Sequence, residues 1–328
     1  MTSTRPTLRL NPVVAATRIL GVGSVRPERV VTNDELAQTM DTNDEWIRER
    51  VGIIERRFAG EDEKLVDMAV TAGSKALADS GLAPSDIDSV IVANCTMPSP
   101  IPNAAAQVAD RIGIAASGAF DLNAACAGFC YALGVASDLI KAGSAGRTLV
   151  IGAEKLSDWL DKTDRSTAII FADAAGAAVV GPAEQPEIGP VVWGSAGDLV
   201  DTIYMREHKY LYQEGQAVFR WATTQIAPIA LRAIEAAGLQ PADIDVLIPH
   251  QANLRIVEAI AKRLRASGGR ADMVVADDII YSGNTSSASI PMALDHMRAA
   301  GRVHRGDVAL LVGFGAGLSY AGQVVILP

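Results

Sequence analysis

Three polar side chains stand where buried strands give way to turns, and each could do chemistry there. Cys126 lies in FDLNAACAGFCYALGVASDL, just after an apolar run and a short Ala-Ala turn, at the predicted start of a helix. From Leu122 to Ser137 there is no charged residue, so that helix is expected to be buried. A thiol at a helix N-terminus faces unpaired backbone N–H groups and the positive end of the dipole. Both favour the nucleophilic thiolate and can stabilise an oxyanion formed by its attack on a carbonyl. Cys130, one turn further on, reads as core, and Cys95 as a residue that can line the same pocket. His250, in VLIPHQANLRIVEAIAKRL, directly follows a buried strand, and a neutral imidazole can accept or donate a proton near neutral pH. Asn284, in YSGNTSSASIPMAL, precedes a helix start rich in Ser and Thr, which is also the look of a simple N-cap. Its interest lies in whether its loop meets those of Cys126 and His250.

Other patterns carry less. The turn GFGAGLSYAG (313–322) lacks the GxxxxGK[ST] spacing of a phosphate loop, though it allows close backbone approach to a ligand. Gly21-Val22-Gly23 is followed by Arg26 and Pro27 and fails as a dinucleotide fingerprint. His208, His296 and His304 share no ligand spacing with each other or with the cysteines, so no metal site is expected.

The elements that must position these residues alternate between short Val/Ile/Leu runs and longer Ala-rich amphipathic runs. Strands are predicted at 17–22, 88–93, 118–123, 147–152, 175–180, 244–249, 307–312 and 321–327. Helices are predicted near 64–80, 103–112, 127–142, 217–237, 254–266 and 288–300. This is a layered α/β pattern. It also repeats. ALADSGLAPSDIDSVIV (76–92) echoes AIEAAGLQPADIDVLI (233–248), and IKAGSAGRTLVIG (140–152) echoes RAAGRVHRGDVALLVG (298–313). Two echoes in the same order suggest a duplicated half, with the Pro/Gly-rich stretch 181–190 as the seam. The expected halves are 1–184, carrying the cysteine, and 185–328, carrying His250 and Asn284. Function in open α/β sheets gathers at the carboxyl ends of strands, so the loops of both halves should converge on one pocket.

The 328 residues are 49% apolar, 20% charged and 5% aromatic, which is a chain with ample core and not a disordered one. A formal charge of −9 argues against non-specific nucleic-acid binding. Three cysteines cannot build a disulfide framework, no apolar run is long enough to span a membrane, and the stretch Val13 to Ala16 is too short for a signal peptide. A cytoplasmic protein with a loose leader of about fifteen residues is expected.

The motifs DTNDEWIRERVGI (41–53), AACAGF (124–129), PHQANLRI (249–256) and GNTSSAS (283–289), in this order and spacing, resemble β-ketoacyl-acyl carrier protein synthase III, of the thiolase-like superfamily. The resemblance runs over nearly the whole chain after the leader. It implies the duplicated five-layer αβαβα thiolase-like fold, a homodimer, and a catalytic set of Cys126, His250 and Asn284. It implies acyl transfer from an acyl-CoA to the cysteine, then decarboxylative condensation with malonyl-acyl carrier protein, starting fatty-acid or polyketide synthesis. No permanently bound cofactor or metal is implied; the coenzyme A thioester is a substrate. The oxyanion hole falls on the N–H groups of Cys126 and the Gly315–Ala316 turn; Ala316 stands where glycine is frequent, so its backbone must tolerate a Cβ. Trp46 and Arg165 resemble a pair that sandwiches the adenine, Thr42 an adenine contact and Arg50 a phosphate contact. Gly215, Phe219 and Asn253 resemble the pantetheine tunnel. Ile101 and Ile170 fall at the acyl pocket, Ile101 by reaching across a dimer, and Ala172 and Ala174 replace glycines beside that region. Arg220, with Arg255, Lys262 and Arg263 on the helix 254–266, fits docking of an acidic carrier protein. The weaker readings are an acyltransferase of the same fold acting on a hydroxyl or amine, and a non-catalytic synthase partner subunit. Cys126 argues against the latter.

Overall fold

A computed structural model describes residues 11, 13–115 and 117–328. Most of the expected leader lies outside the described residues. Among them are two five-stranded sheets. The strands in chain order are β1 (Ala16–Val25), β2 (Ser89–Ala93), β3 (Gly118–Leu122), β4 (Thr148–Lys155), β5 (Asp173–Ala183), β6 (Val192–Ser195), β7 (Val246–Pro249), β8 (Val274–Val275), β9 (Val308–Gly315) and β10 (Ser319–Ile326). The first sheet runs β1-β5-β4-β2-β3 and the second β6-β10-β9-β7-β8, the same order displaced by five strands. The pairing senses match as well. In each sheet the first two pairings are antiparallel and the last two parallel.

The long helices are α1 (Asp44–Val51), α2 (Leu65–Ser80), α3 (Ala104–Ile112), α4 (Gly128–Lys141), α5 (Gly215–Ala236), α6 (Leu254–Ala266) and α7 (Ser289–Ala299). Helices α4 and α7 form the middle layer and touch both sheets, α2 and α3 cover the outside of the first sheet, and α5 covers the second with α6 packed on it. Three apolar clusters fill the interfaces between layers. This is the thiolase-like αβαβα fold. Strands β2, β4 and β5 are covered on both faces and therefore read as nearly continuous apolar runs instead of alternating ones. Helix α4 is buried along most of its length, as its lack of charge before Asp138 predicts.

Two regions lie outside the layered frame. Val30–Thr32 pairs with Glu55–Arg57, next to α1, whose N-cap Asn43 accepts from Trp46 N–H. Ile203–Arg206 pairs with Tyr210–Gln213 and hangs over the carboxyl ends of the core strands.

Candidate active site

A cavity of about 860 Å³ opens at the carboxyl ends of the core strands. Cys126, His250, Asn284, Gly315 and Ala316 all line it. Cys126 comes from the β3–α4 connection, His250 from the end of β7, Asn284 from the loop before α7, and Gly315–Ala316 from the end of β9. Four loops from both halves thus converge on one space.

The sulfur is set by a tight turn. Ala125 has φ 46, a conformation disfavoured for a residue with a Cβ, and Cys126 follows in a single 3-10 turn, Ala125–Ala127. The α-helix itself begins at Gly128, two residues later than the thiol. A helix-start N–H has no partner within its own helix, and the Cys126 N–H is left beside its own sulfur. Gly315 lies against the thiol: a Cβ there would sit 2.7 Å from Cys126 Cβ and 3.0 Å from Sγ. Ala316 is not among the positive-φ residues, so its Cβ is tolerated, and it too opens a 3-10 turn with a free N–H.

The electrostatics correct one expectation. Burial pushes the Cys126 thiol up to about 12, only partly offset by hydrogen bonds from Ser286 and its own backbone. Loss of hydration thus opposes the thiolate here, against the pull of the helix terminus. Burial likewise holds His250 down to about 3, so its imidazole is neutral. Its Nδ1 lies 2.8 Å from Ser289 Oγ, and its ring packs edge-on against Phe314 at 5.3 Å between centroids. The next residue locks the loop: Gln251 Nε2 donates to Pro249 O at 2.7 Å and its Oε1 accepts from Ile279 N–H at 3.1 Å.

Asn284 is not an N-cap. The helix begins at Ser289 with Ala288 in the capping position. Asn284 Oδ1 accepts from Ser286 N–H at 2.9 Å, which leaves the amide Nδ2–H groups to act as donors into the cavity. Its backbone is clamped on both sides: Asn284 N–H donates to Ile170 O at 2.8 Å, and Ala172 N–H donates to Asn284 O at 2.9 Å.

Two polar residues that hold these loops were missed in the sequence. Glu154, at the end of β4, is fully buried and accepts from Thr96 Oγ1 at 2.7 Å, Ser287 Oγ at 2.9 Å and Ser286 Oγ at 3.0 Å. Its burial raises its pKa, and it ties the loop after β2 to the loop carrying Asn284. Arg56 is also fully buried; it donates to Asn33 Oδ1 at 2.8 Å and Ile169 O at 2.9 Å, bracing the segment against which Asn284 is clamped. The signal for Glu154 was a charge at the carboxyl end of an otherwise apolar strand.

The remaining expected residues divide. Trp46, Arg50, Arg165, Gly215, Phe219, Arg220, Asn253, Arg255 and Ile170 line the cavity, as does Cys95, while Cys130 is core. Arg165 stacks directly on Trp46, its guanidinium 5.0 Å from the ring centroid, with Arg50 at 5.2 Å. Asn253 is the N-cap of α6, and Arg255 lies over the Phe219 ring at 5.1 Å. Thr42 is not in the lining. Ile101 is 80% exposed and does not reach this chain's cavity. Ala172 and Ala174 are buried behind the wall, packed toward the Gly283 loop and α7, while Ile170 and Phe171 form the wall itself. Lys262 and Arg263 are exposed on α6, outside the cavity. The lining contains four arginines and no carboxylate although the chain is acidic, and one of the four, Arg165, lies 3.8 Å from the Asp41 carboxylate outside it.

A half-buried thiol thus shares one cavity with a neutral imidazole and an amide, and comparison with known proteins gives the family. Residues 120–197 match the family model 3-oxoacyl-[acyl-carrier-protein] synthase III, and residues 234–327 match its C-terminal model. A Streptomyces coelicolor protein named β-ketoacyl-[acyl-carrier-protein] synthase III 4 is 50% identical, covering 95% of this chain and 98% of its own. A Mycobacterium avium β-ketoacyl-[acyl-carrier-protein] synthase III is 49% identical, over 94% of this chain and 95% of its own. The crystal structure of the priming β-ketosynthase from the R1128 polyketide biosynthetic pathway superposes with a TM-score of 0.94 at 42% identity, covering 98% of this chain and 99% of that one. The chain belongs to the β-ketoacyl-acyl carrier protein synthase III family, condensing enzymes that initiate fatty-acid or polyketide synthesis.

Proposed function

We propose that this chain takes an acyl-CoA as starter, holds the acyl group on Cys126, and condenses it with malonyl-acyl carrier protein. The observation that carries the reading is the meeting of Cys126, His250 and Asn284 in one cavity whose outer wall is basic and aromatic. The arginines suit the phosphates of coenzyme A, and the Trp46 indole and Arg165 guanidinium suit the faces of an adenine. Arg165 must lift off Trp46 to admit the base between them.

The proposed chemistry follows from the groups. Cys126 sulfur forms a bond to the thioester carbonyl carbon while the oxyanion takes hydrogen bonds from the N–H groups of Cys126 and the Gly315–Ala316 turn. The carbon–sulfur bond to coenzyme A then breaks, and the thiol proton ends on the departing sulfur. In the second half-reaction malonyl thioester loses carbon dioxide, and the electron pair of the broken bond moves onto an enolate oxygen. His250 and the Asn284 amide donate to that oxygen. The neutral imidazole and the free Nδ2–H groups support this role. The enolate carbon then attacks the acyl-cysteine, and the released sulfur takes up a proton. A simple transfer to a hydroxyl or amine would need no enolate stabiliser.

Carrier docking is assigned to Arg220, Arg255, Lys262 and Arg263, all exposed beside the mouth or on α6. The active form is assigned to a homodimer: β3 ends its sheet with one unpaired edge, and Phe120 on it is exposed, as is Ile101. The halves are divided at 184/185, a boundary supported by the matched strand orders. No helix among the described residues is long and apolar enough to cross a membrane, and we assign the protein to the cytoplasm.

The reading is tested by mass spectrometry after incubation with acetyl-CoA and longer or branched acyl-CoAs. A gain of one acyl group on the peptide carrying Cys126, absent in Cys126→Ala, is expected. Addition of malonyl-acyl carrier protein should then discharge the acyl group with release of carbon dioxide. No acyl gain with any starter rejects the reading.

A further inference from the structure

We propose that Ser289 is a positioning residue that fixes the His250 imidazole with its proton on Nε2, so that the ring already faces the cavity as a hydrogen-bond donor. The argument starts from what surrounds Nδ1. Ser289, the first residue of α7, is fully buried, and its Oγ lies 2.8 Å from Nδ1. The same oxygen accepts from Gln251 N–H at 3.3 Å. A hydroxyl has one proton and two lone pairs. With one lone pair engaged by Gln251, there are two arrangements. If Nδ1 carried the proton and donated it, Ser289 Oγ would accept twice and its own buried proton would need another acceptor. Among the described residues it has none. If Nδ1 is unprotonated, the hydroxyl donates to it and every polar atom is satisfied. A buried donor without a partner is costly, so the second arrangement holds. The neutral ring must then carry its proton on Nε2, which has no protein partner among the described residues and belongs to a ring that lines the cavity.

The consequence rests on the condensing reading of the site. A ring with Nε2–H has no lone pair there for the Cys126 proton; it is set for the enolate oxygen of the second half-reaction. Ser289 would thereby assign the imidazole to condensation and not to loading of the thiol.

The direct test is ring-15N NMR of histidine-labelled wild-type protein, with the His250 signals identified by their loss in His250→Gln. An unprotonated resonance at Nδ1 and a protonated one at Nε2 are expected; the reverse assignment overturns the proposal. A second measurement separates positioning from mere folding. In Ser289→Ala, condensation by a pre-acylated enzyme should slow by about tenfold or more, the worth of one hydrogen bond in the transition state. Acyl transfer onto Cys126 should change by less than about threefold, and Ser289→Thr should restore condensation. Equal slowing of both half-reactions overturns the proposal. Discharge of the wild-type acyl-cysteine by malonyl-acyl carrier protein with release of carbon dioxide tests the condensing reading separately: its absence overturns that reading whichever ring nitrogen carries the proton.

Discussion

A helix end attracts a neighbouring anion by about 0.3–1 kcal/mol at exposed sites, whereas taking a charge out of water costs several kcal/mol. At Cys126 the second effect prevails, and the thiol is held near 12. The expected outcome is that iodoacetamide labels the Cys126 peptide slowly at pH 7, and that the rate keeps rising through pH 10. A plateau near neutrality, read by peptide mass, would contradict a protonated resting thiol. For His250 the folded state has a pKa of about 3, below the ordinary value of about 6.5 of an unfolded chain. The unfolded state therefore takes up a proton that the folded state refuses. The contribution to stability is complete above about pH 6.5 and falls as the pH drops toward 3, by up to about 1.4 kcal/mol per pH unit. Urea midpoints compared at pH 7 and pH 5 should show a smaller acid loss in His250→Gln than in wild type. The comparison must be between variants. Asp173, raised to about 6 by burial, acts in the opposite sense: its unfolded form releases a proton above about pH 4 while its folded form keeps it, so its cost fades as the pH falls.

At the scale of elements, the working unit is a buried strand that ends in a strained or clamped turn. β3 delivers Cys126 through Ala125, β7 delivers His250 into a loop pinned by Gln251, and β9 lays Gly315 against the thiol. Gly152 in β4 serves the same end, since a Cβ there would run into the Ser287 carbonyl and push away the loop of Asn284. We expect Gly315→Ala to cost about 1–3 kcal/mol of stability by overpacking and to lower acyl loading at least about a hundredfold, because the thiol must shift. A variant that loads normally would show that the close approach is unimportant. Helix α6 plays a different part. It packs one face on α5 and shows Arg255, Lys262 and Arg263 to solvent. Arg255→Glu should raise the apparent KM for the malonyl-carrier protein about tenfold, roughly the worth of one close charge pair, and added salt should do the same. A KM unaffected by both would remove α6 from the docking surface.

For the whole molecule, the two matched sheets explain why a single cavity draws its residues from both halves: the carboxyl ends of equivalent strands meet across the middle layer of α4 and α7. The same architecture leaves β3 as an edge. Light scattering should give twice the chain mass at micromolar concentration, and Phe120→Asp should shift the protein toward monomer. A wild-type monomer would reject the dimer assignment. The echo of AIEAAGLQPADIDVLI and ALADSGLAPSDIDSVIV made the duplication visible because each repeat must build the same helix end, turn and buried strand. The edge strands β6 and β8 gave no such signal: β6 alternates half-buried and exposed residues, and β8 is two residues long. They are strands only because β10 and β7 offer them partners.

The sequence by itself determined the layered fold, the long helices and the buried strands, since periodicity is a local property of the chain, and its motifs singled out Cys126, His250 and Asn284 as a candidate set through their resemblance to a known family. Tertiary structure alone decided that burial raises the pKa of the thiol, that Asn284 is an acceptor for Ser286 and not a cap, and that Arg165 rests on Trp46. It also decided that Glu154, Arg56 and Ser289 brace the loops carrying His250 and Asn284. The physical reason is that hydration, hydrogen-bond partners and ring contacts depend on which distant segments arrive beside a group, and those segments come from more than one hundred positions away in the chain for the pairs Glu154–Ser286 and Arg56–Ile169.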